Sequence, residues 1–457
     1  MNKLSLNNLK SNSTIHMIGI GGISMSGLAD LLMYFGYKVT GSDINETHII
    51  QKLKALGADI SIGQKAENIK NPDLVCYTAA IKADNPELCE AKKRGIPTME
   101  RAVLLGELIK NYKFPIAVAG THGKTTTTSM LSLILLEAKT DPTILVGGEL
   151  SQINGNYRIG DSKYLVFEAC EYVESFLNFH PFLSIITNIE EDHLDYFVNL
   201  SHIITSFEKF SRLNSPLGTI IVCSDDKNAL SAVQNVESKV QKYAIYDKNA
   251  DFVAYDIENK ANGGCEYKIS HCGEYLFSVK LNVIGKHNVL NSLAAAAAAY
   301  SLGISEEAIK KGLENFCGTK RRFEKIGEFS GVEVIDDYAH HPTEIKSTLD
   351  AAKQLGKKRT WCIFQPHTYS RTKAFTDDFA KALSSADKVI LADIYPAREK
   401  YDGTIHSCDL AAKISGCTYM NDFSAMERYI KQNAEPGDLV ITMGAGDIFK
   451  VGKALVE

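Results

Sequence analysis

Short apolar runs alternate with amphipathic segments through the first part of the chain. Short runs of apolar and β-branched residues are typical of buried strands, whereas apolar positions three and four residues apart are typical of helices. The pattern predicts strands at 14–19, 38–43 and 74–77, and helices at 24–35, 49–56 and 87–94. Strands that alternate with helices in this order predict a parallel, doubly wound sheet.

The same alternation returns twice further along the chain. It predicts strands at 116–119, 164–168, 183–188, 332–335, 360–365, 388–392 and 439–443, and helices at 129–136, 292–302 and 343–352. Residues 111–115 are interpreted as a linker, and a third alternating region begins near Thr319. The 457 residues are enough for about three domains. We therefore predict an α/β protein divided into 1–113, 114–318 and 319–457.

Composition and charge narrow the class of protein. Apolar residues make up 45% of the chain and charged residues 23%, with a net charge of −5. No basic face dominates, which argues against a nucleic-acid partner. The ten cysteines form no CxxC pair, which favours reduced thiols in a cytoplasmic protein. The sequence has neither a signal-peptide pattern at its start nor a run of about 18 apolar residues, so we expect no membrane partner.

A phosphate-binding loop is predicted between strand 116–119 and helix 129–136. The loop reads Gly120-Thr121-His122-Gly123-Lys124-Thr125-Thr126, although Val118 stands where the full phosphate-loop pattern has glycine. In a strand, glycine loop and helix, the backbone N–H groups and the helix N-terminus bind phosphates. Lys124 is placed to reach the outer phosphates, and Thr125 to bind Mg²⁺. The pattern predicts a nucleoside triphosphate site, against the alternative of a chance glycine–lysine turn.

A second glycine turn follows the first predicted strand. Gly19, Gly21 and Gly22 match the start of a dinucleotide-binding fingerprint, but Ser24 occupies its sixth position. Asp43 lies at the end of the second predicted strand, where an acid that binds a ribose would stand. The arrangement requires only a pyrophosphate at a helix N-terminus. NAD and a UDP-linked sugar therefore both fit this turn.

An acidic residue and a histidine follow two predicted strands of the middle region. Glu168 ends the run 164–168, and His193 comes shortly after the run 183–188. Ligands gather at the carboxyl ends of strands in open α/β sheets, and carboxylate oxygens suit Mg²⁺. A single acid also fits a solvated loop, and a lone histidine fits an ordinary hydrogen-bonded position. Arg322 carries a planar guanidinium suited to transferring phosphate oxygens.

The pair His340-His341 lies beside several acids and could suggest a metal site. No third residue at a metal-ligand spacing supports that interpretation. Pro342 fits the first turn of a helix, so we interpret this loop as a helix N-cap that contacts a nucleotide.

Several motifs, taken in order, resemble those of the Mur ligase family. They are the glycine turn at 19–27, the loop at 120–125, Asn188 with Asp192-His193, His287-Asn288 with Asn291, Arg321-Arg322-Phe323 and Gly444-Ala445-Gly446-Asp447. Three segments, 19–27, 337–344 and 365–372, are similar to the branch of the family that attaches L-alanine. The resemblance covers essentially the whole chain, so it is more specific than either nucleotide motif alone.

The resemblance implies an architecture and a reaction. It implies a Rossmann-like N-terminal domain for a UDP-sugar, a central domain like those of phosphate-loop ATPases, and a Rossmann-like C-terminal domain that brings in the amino acid. ATP would phosphorylate the lactyl carboxylate of UDP-N-acetylmuramate, and L-alanine would attack the acyl phosphate. The products would be an amide, ADP and phosphate, in peptidoglycan precursor synthesis. The two substrates are then the expected partners, with the chain a monomer or homodimer.

The resemblance also assigns roles to residues of this sequence. Lys124, Glu168, His193 and Arg322 are expected to be catalytic, and Thr125, Glu168 and His193 to hold Mg²⁺. ATP is expected to contact Gly120, Thr121, His122, Gly123, Lys124, Thr125, Thr126, Asn291, Arg322 and Asp337. The UDP-sugar is expected to contact Gly19, Gly21, Gly22, Ser24, Asp43, His287 and Asn288. The amino acid is expected to contact Tyr338, His367 and Arg371, with Arg371 pairing its carboxylate.

The sequence departs from the family pattern at three places. Cys170 stands where an acid is usual, Ala339 where a glycine is usual, and Thr78-Ala79-Ala80 where a serine pair is usual. Three other functions remain compatible with parts of the pattern: a ligase for a peptide or another amino acid, a Rossmann oxidoreductase, and a mechanical phosphate-loop ATPase. Ser24 and the second nucleotide site count against the oxidoreductase.

Overall fold

A computed structural model describes residue 6 and residues 9–260, 263–397, 399–401 and 403–457. The strands of these residues form three sheets, with five, ten and six strands in chain order. The sequence prediction of an α/β protein with largely parallel sheets is confirmed. None of the described helices is long and apolar enough to cross a membrane.

The first sheet is built from β1 (Thr14–Ile18), β2 (Lys38–Asp43), β3 (Asp59–Ile62), β4 (Leu74–Tyr77) and β5 (Thr98–Glu100). All pairs are parallel, in the order β3-β2-β1-β4-β5. The helices of this region are α1 (Ile23–Tyr34), α2 (His48–Ala55), α3 (Pro86–Lys93) and α4 (Arg101–Ile109). Every predicted element of the region is present. The start of α3 follows from its sequence, because the Asn85 side chain accepts the Leu88 N–H at 3.1 Å and Pro86 opens the helix.

The central sheet has ten strands. They are β6 (Phe114–Ala119), β7 (Thr143–Leu150), β8 (Gly155–Arg158), β9 (Tyr164–Glu168), β10 (Leu183–Ile186), β11 (Thr219–Cys223), β12 (Lys239–Ala244), β13 (Phe252–Asn259), β14 (Cys265–His271) and β15 (Glu274–Leu281). The helices are α5 (Lys124–Glu137), α6 (Leu200–Arg212), α7 (Lys227–Ser231), α8 (Lys286–Ser301) and α9 (Glu306–Glu314). The order is β15-β14-β13-β12-β11-β10-β6-β9-β7-β8. Strand β6 therefore lies between β9 and β10, and the loops that follow these three strands meet at one edge.

Two features of the central region differ from the sequence prediction. Phe114 and Pro115 begin β6 instead of forming a linker, and a proline is tolerated near the start of a strand. The sequence analysis also gives no prediction for β7, β8, β11 and β12, nor for the antiparallel strands β13, β14 and β15. In β14 the buried Cys265, Tyr267 and Ile269 alternate with polar residues, which is the pattern of a strand exposed on one face.

The C-terminal sheet has six strands. They are β16 (Glu324–Phe329), β17 (Val332–Asp337), β18 (Thr360–Phe364), β19 (Lys388–Leu391), β20 (Thr418–Tyr419) and β21 (Leu439–Met443). The helices are α10 (Pro342–Lys353), α11 (Tyr369–Ala374), α12 (Thr376–Leu383), α13 (Ser407–Ala411), α14 (Phe423–Asn433) and α15 (Phe449–Val456). The order is β16-β17-β21-β18-β19-β20, with only the β16–β17 pair antiparallel. The N-cap interpretation is confirmed, because His341 accepts the Thr343 N–H at 3.4 Å and Pro342 begins α10.

The N-terminal and central sheets share one apolar core. Leu32 of α1 and Leu108 of α4 belong to the same buried cluster as Phe176 and Phe207 of the central region. A second cluster fills the other face of the central sheet. In the described chain, the two clusters that flank the C-terminal sheet are built from residues after 322. Apolar burial therefore holds the first two sheets together, whereas the third has cores of its own.

Two helical glycines let the N-terminal region approach the central region closely. A Cβ on Gly106 of α4 would lie 2.3 Å from the Asn178 carbonyl oxygen. A Cβ on Gly27 of α1 would lie 3.0 Å from Leu145 Cδ2 and 3.0 Å from Tyr157 Cβ. The missing side chains are thus a packing requirement of this seam.

We expect Gly106→Ala to destabilise the protein, although alanine is the better helix former. Overlap with a backbone carbonyl should cost about 3 kcal/mol or more, against a gain of about 1 kcal/mol from helix propensity. The midpoint of thermal unfolding measures the difference. Lys110→Ala, at the exposed end of the same helix, should leave the midpoint nearly unchanged. An unchanged midpoint for Gly106→Ala would mean that α4 is not confined against Asn178.

Candidate active site

The phosphate loop runs from the end of β6 to the start of α5, as the sequence predicts. Gly120 and Gly123 have φ angles of 138° and 82°, which disfavour residues with a side chain. A Cβ at Gly120 would lie 1.9 Å from Thr187 Oγ1, and one at Gly123 would lie 2.4 Å from Asn291 Oδ1. Conformation and space therefore both require glycine, and the second contact brings Asn291 of α8 against the loop.

Lys124 lies at the start of α5 and is paired with a carboxylate. Its ammonium group donates to the carbonyl oxygens of Gly120 and Thr121, and to Glu171 Oε2 at 2.8 Å. Burial alone would lower the pKa of Lys124, but the Glu171 carboxylate outweighs burial and raises it. Glu171 itself is only 2% exposed. The cation is thus kept charged and fixed before any phosphate is present.

The three predicted metal ligands, Thr125, Glu168 and His193, line the same cavity of about 700 Å³. Glu168 Oε1 accepts the Gly147 N–H, and burial raises the pKa of Glu168. His193 Nε2 lies 3.8 Å from Glu171 Oε1. A hydroxyl and a carboxylate at one cavity fit a hard cation such as Mg²⁺.

A smaller cavity of about 270 Å³ extends from the phosphate loop towards α8. His287, Asn288 and Asn291 line it, together with Tyr243 and Asp337. His287 and Asn288, which are expected to contact the sugar, line this cavity together with Asn291, and their contact with the sugar stays a prediction. Burial lowers the pKa of His287 to about 4, so its ring is neutral.

Asp337 and Arg322 approach this cavity from the C-terminal region. Asp337 accepts the N–H groups of Phe323 and Ala339, each at 2.7 Å, and burial raises the pKa of its carboxyl group to about 6. Arg322 lines both cavities. The neighbouring Arg321 is engaged elsewhere, since its Nε donates to Asp336 at 3.0 Å.

Arg371 is held by a carboxylate of the central region. Its Nε and Nη2 donate to Asp192 Oδ1 at 3.0 and 2.7 Å, and its Nη1 lies 3.2 Å from His367 Nδ1. Arg371 and His367 are absent from the lining of both cavities, whereas Tyr338 lines the larger one. Arg371 is expected to pair the amino-acid carboxylate, but in this structure its guanidinium is already paired with Asp192. Burial alone would raise the pKa of Asp192, but His193 and Arg371 hold it well below its ordinary value.

Further polar contacts join the central region to the start of α10. Thr343 Oγ1 donates to Glu190 Oε2 at 2.6 Å, and His341 Nε2 donates to the Glu191 carbonyl oxygen at 3.0 Å. His122 Nε2 lies 3.3 Å from Glu190 Oε2. The ligand atoms of His122, Glu190 and His341 lie within 4.8 Å of one another, a spacing that a divalent cation could use. The hydrogen bonds of these side chains account for their closeness.

The N-terminal glycine turn is closed by its predicted acid. Gly21 donates its N–H to Asp43 Oδ2 at 2.9 Å. The next residue but one, Ile23, is 51% exposed and lines the larger cavity. Gly19 and Gly22, also expected at the sugar, lie in the same turn, and Ser24 lies in the first turn of α1. The turn thus stands at the N-terminus of α1, beside the cavity that contains the phosphate loop.

Three carboxylates of the site have no role in the sequence analysis: Glu171, Glu190 and Asp192. Each follows the end of β9 or β10 by a few residues. The rule that ligands gather at strand ends selects Glu168 and His193, and it would have selected these three as well. Their partners are less accessible to sequence reasoning, since Asp192 and Arg371 are 179 residues apart.

Comparison with protein-family models matches three parts of the chain. Residues 14–113 match the Mur ligase family catalytic domain, residues 118–299 the Mur ligase middle domain, and residues 321–446 the Mur ligase glutamate ligase domain.

Individual proteins match over nearly the whole chain. UDP-N-acetylmuramate–L-alanine ligase of Acetivibrio thermocellus is 52% identical, covering 100% of this chain and 98% of the relative. The protein of the same name from Clostridium botulinum (strain Okra) is 50% identical over 98% of each chain. Among solved structures, UDP-N-acetylmuramate-alanine ligase from Thermotoga maritima has a TM-score of 0.82 at 31% identity, covering 97% of this chain and 98% of that one. A murein peptide ligase from Psychrobacter arcticus has a TM-score of 0.73 at 28% identity, with the same coverage.

Removing Arg371 should leave Asp192 buried without its partner. We expect Arg371→Ala to lower the free energy of unfolding by about 3–5 kcal/mol. The double variant Asp192→Asn/Arg371→Ala should be more stable than Arg371→Ala, because the unpaired charge is gone. Denaturant unfolding measures both. Arg158→Ala is the control, since its ion pair with Asp141 is partly exposed and should contribute at most about 1 kcal/mol. An equal decrease in the free energy of unfolding in the single and double variants would contradict a buried charge pair.

Proposed function

The chain belongs to the Mur ligase family, and we propose that it is an ATP-dependent ligase that joins L-alanine to the lactyl carboxylate of UDP-N-acetylmuramate in peptidoglycan precursor synthesis. The observation that carries this proposal is the 52% identity, over the full chain, with a ligase of that name. The site agrees with it, because a phosphate loop, oxygen ligands and a guanidinium group meet at one cavity.

The reaction has two chemical steps. A carboxylate oxygen of the sugar first attacks the γ-phosphorus of ATP. The bond from that phosphorus to the β,γ-bridging oxygen breaks, so ADP leaves and an acyl phosphate forms. The amine of L-alanine then attacks the acyl carbon, and the tetrahedral intermediate expels phosphate as the amine loses its proton. Both steps bring anionic oxygens together, so their rates depend on positive charge placed where negative charge develops. No side chain has to act as a nucleophile, and the protein contributes position and charge.

The phosphate loop and Lys124 are proposed to hold the outer phosphates of ATP. Thr125, Glu168 and His193 would hold Mg²⁺, which neutralises phosphate charge when it is bound. The position of all three side chains at one cavity supports this assignment. Lys124 already carries its charge inside the loop, so it needs no protonation change to meet a phosphate oxygen.

The smaller cavity is proposed to hold the nucleoside part of ATP. It opens beside the phosphate loop, and Asn291 contacts that loop from α8. His287 and Asn288 line the same cavity and stay proposed as contacts of the UDP-sugar. Asp337 would accept from the ribose hydroxyl groups, and Arg322 would face the phosphates from the C-terminal side.

The glycine turn before α1 is proposed to bind the pyrophosphate of the UDP-sugar. The N-terminus of α1 supplies unpaired N–H groups and partial positive charge there. Ile23, which follows this turn, lines the same cavity as the phosphate loop, so a ligand bound at the turn could extend to the loop. The three sheets support a division of the chain at 113/114 and 318/319 into sugar-binding, ATP-binding and amino-acid-binding domains.

Tyr338, His367 and Arg371 are proposed to surround the incoming L-alanine. A guanidinium has five N–H donors, and Asp192 and His367 engage three of those on Arg371. The remaining donors could take one oxygen of the alanine carboxylate while Asp192 stays in place. Arg371 would then be shared between a resident carboxylate and a substrate carboxylate.

The protein is also proposed to work in the cytoplasm. Its ten cysteines are all free thiols, and four of them are buried. Reduced thiols are typical of cytoplasmic proteins.

The central test follows an oxygen atom. With ¹⁸O in the lactyl carboxylate of UDP-N-acetylmuramate, we expect one label to appear in the released phosphate, because the acyl phosphate passes its bridging oxygen to phosphate. Mass spectrometry of the phosphate measures this. ADP release should require the sugar substrate and rise on addition of L-alanine. Unlabelled phosphate, or vigorous ADP release with ATP alone, would contradict ligation through an acyl phosphate.

Lys124→Ala should lower kcat by two to three orders of magnitude, since a preorganised cation of this kind is worth about 3–4 kcal/mol. The variant also leaves Glu171 buried and unpaired, so it is best compared with Lys124→Ala/Glu171→Gln. The double variant should regain thermal stability without regaining turnover. Recovery of turnover together with stability would remove Lys124 from the mechanism.

A further inference from the structure

Glu344 lies where the two cavities of the site meet. It stands in the first turn of α10 and lines both cavities, with a side chain that is 14% exposed. Three nitrogen-bearing side chains surround its carboxylate. His122 Nδ1 is 3.2 Å from Oε1, His340 Nδ1 is 3.4 Å from Oε2, and Arg322 Nη1 is 3.8 Å from Oε1. The substrate assignments above give this carboxylate no role.

The contact with His122 connects Glu344 to the phosphate loop. The other nitrogen of the ring, Nε2, lies 3.3 Å from Glu190 Oε2, so each ring nitrogen faces a carboxylate. An ionised carboxylate only accepts hydrogen bonds, so both ring nitrogens donate and the ring is an imidazolium. Burial alone would lower the pKa of His122, but Glu190 and Glu344 raise it to about 9. One charged ring of the phosphate loop therefore bridges the central and C-terminal regions.

The contact with Arg322 is of a different kind. A separation of 3.8 Å allows charge attraction but is too long for a hydrogen bond. Among the described residues, the Arg322 guanidinium makes no hydrogen bond, and its central carbon lies 5.1 Å from the centre of the Tyr338 ring. Glu344 thus orients the positive charge of Arg322 and leaves its N–H donors available to phosphate oxygens.

Glu344 is itself fixed. Its Oε2 accepts the His340 N–H at 3.1 Å, which ties the carboxylate to the loop before α10. Burial alone would raise the pKa of Glu344, but His340, His122 and Arg322 hold it well below its ordinary value. The group therefore remains a charged acceptor at a set position.

We propose that Glu344 is a positioning residue for phosphoryl transfer, which holds His122 and Arg322 in register with the ATP phosphates. This inference rests on the proposed ligase function. Glu344 acts through these two cations, because each of them faces the nucleotide cavity and is reached by the same carboxylate. His122 belongs to the phosphate loop, whereas Glu344 and Arg322 belong to the C-terminal region. The cations are therefore aligned only when the start of α10 lies against the phosphate loop.

The test removes the charge of Glu344 and keeps its size. Glu344→Gln can still accept the His340 N–H, so we expect its thermal unfolding midpoint to stay close to that of the wild type. Its kcat should fall about 100-fold, as expected for misplaced reacting groups, while the KM for UDP-N-acetylmuramate stays within about twofold. Glu344→Asp keeps the charge but withdraws it by one methylene, so its kcat should lie between those of the wild type and Glu344→Gln. This variant distinguishes loss of the charge from disturbance of the fold.

A double-mutant cycle separates positioning from a general structural effect. In an Arg322→Ala background, Glu344→Gln should lower kcat about tenfold instead of about 100-fold, because part of the effect of Glu344 passes through Arg322. Asp350→Asn on the same helix is the matched control, since Asp350 pairs only with the exposed Lys346 among described residues, and its kcat should not change.

Two results would overturn the positioning role. One is an unchanged kcat in Glu344→Gln, and the other is an equal relative decrease in kcat with and without Arg322. The wild-type enzyme is assayed alongside. Failure of the wild type to ligate L-alanine would refute the proposed function, which is a different outcome from wild-type ligation with a fully active Glu344→Gln.

Discussion

Most cations near the reacting groups are neutralised by a carboxylate of the chain itself. Lys124 faces Glu171, Arg371 faces Asp192, and His122 lies between two glutamates. This pairing is the constraint on which the site depends, because a buried cation without a partner costs several kcal/mol. The arrangement keeps the positive charges in place without substrate. A substrate phosphate or carboxylate that binds one of these cations therefore either displaces the resident carboxylate or shares the cation with it.

The two seams between the sheets are built from different interactions. The N-terminal and central sheets share an apolar core, and Gly27 and Gly106 allow their backbones to approach. The central and C-terminal sheets meet largely through the ion pairs and hydrogen bonds at Glu190, Asp192 and α10. Apolar burial is insensitive to direction, whereas charge pairs depend on alignment. The contacts between the central and C-terminal sheets therefore also fix the positions of the charged side chains at the site.

Local pattern predicts much of the fold and of the phosphate loop. Apolar runs locate many of the parallel strands, although not β3, β5, β7, β11, β12 or β20. Gly120 and Gly123 locate the loop, because such signals lie within a few residues. Strands β13 to β15 escape an analysis of apolar runs, since half of each faces solvent. Motifs locate many of the residues that line the two cavities, but not the partners of those residues. Arg371 meets Asp192, and Lys124 meets Glu171, through contacts between segments far apart in the sequence.

Arg322 differs from the other cations of the site, and the difference is informative. Lys124 and Arg371 are hydrogen-bonded to carboxylates, so a substrate must displace those carboxylates or use the remaining donors. Arg322 Nη1 lies 3.8 Å from Glu344 Oε1, too far for a hydrogen bond, and the guanidinium carbon lies 5.1 Å from the centre of the Tyr338 ring. A guanidinium oriented in this way loses no hydrogen bond when it meets a phosphate oxygen, so little of its attraction is offset by exchange. Stabilisation that appears as charge develops, without prior reorganisation, is what lowers a barrier for phosphoryl transfer. In the proposed mechanism, Lys124 and Arg371 are thus held by hydrogen bonds to carboxylates before the reaction, and Arg322 is the cation whose N–H donors are available to the phosphate group as its charge develops.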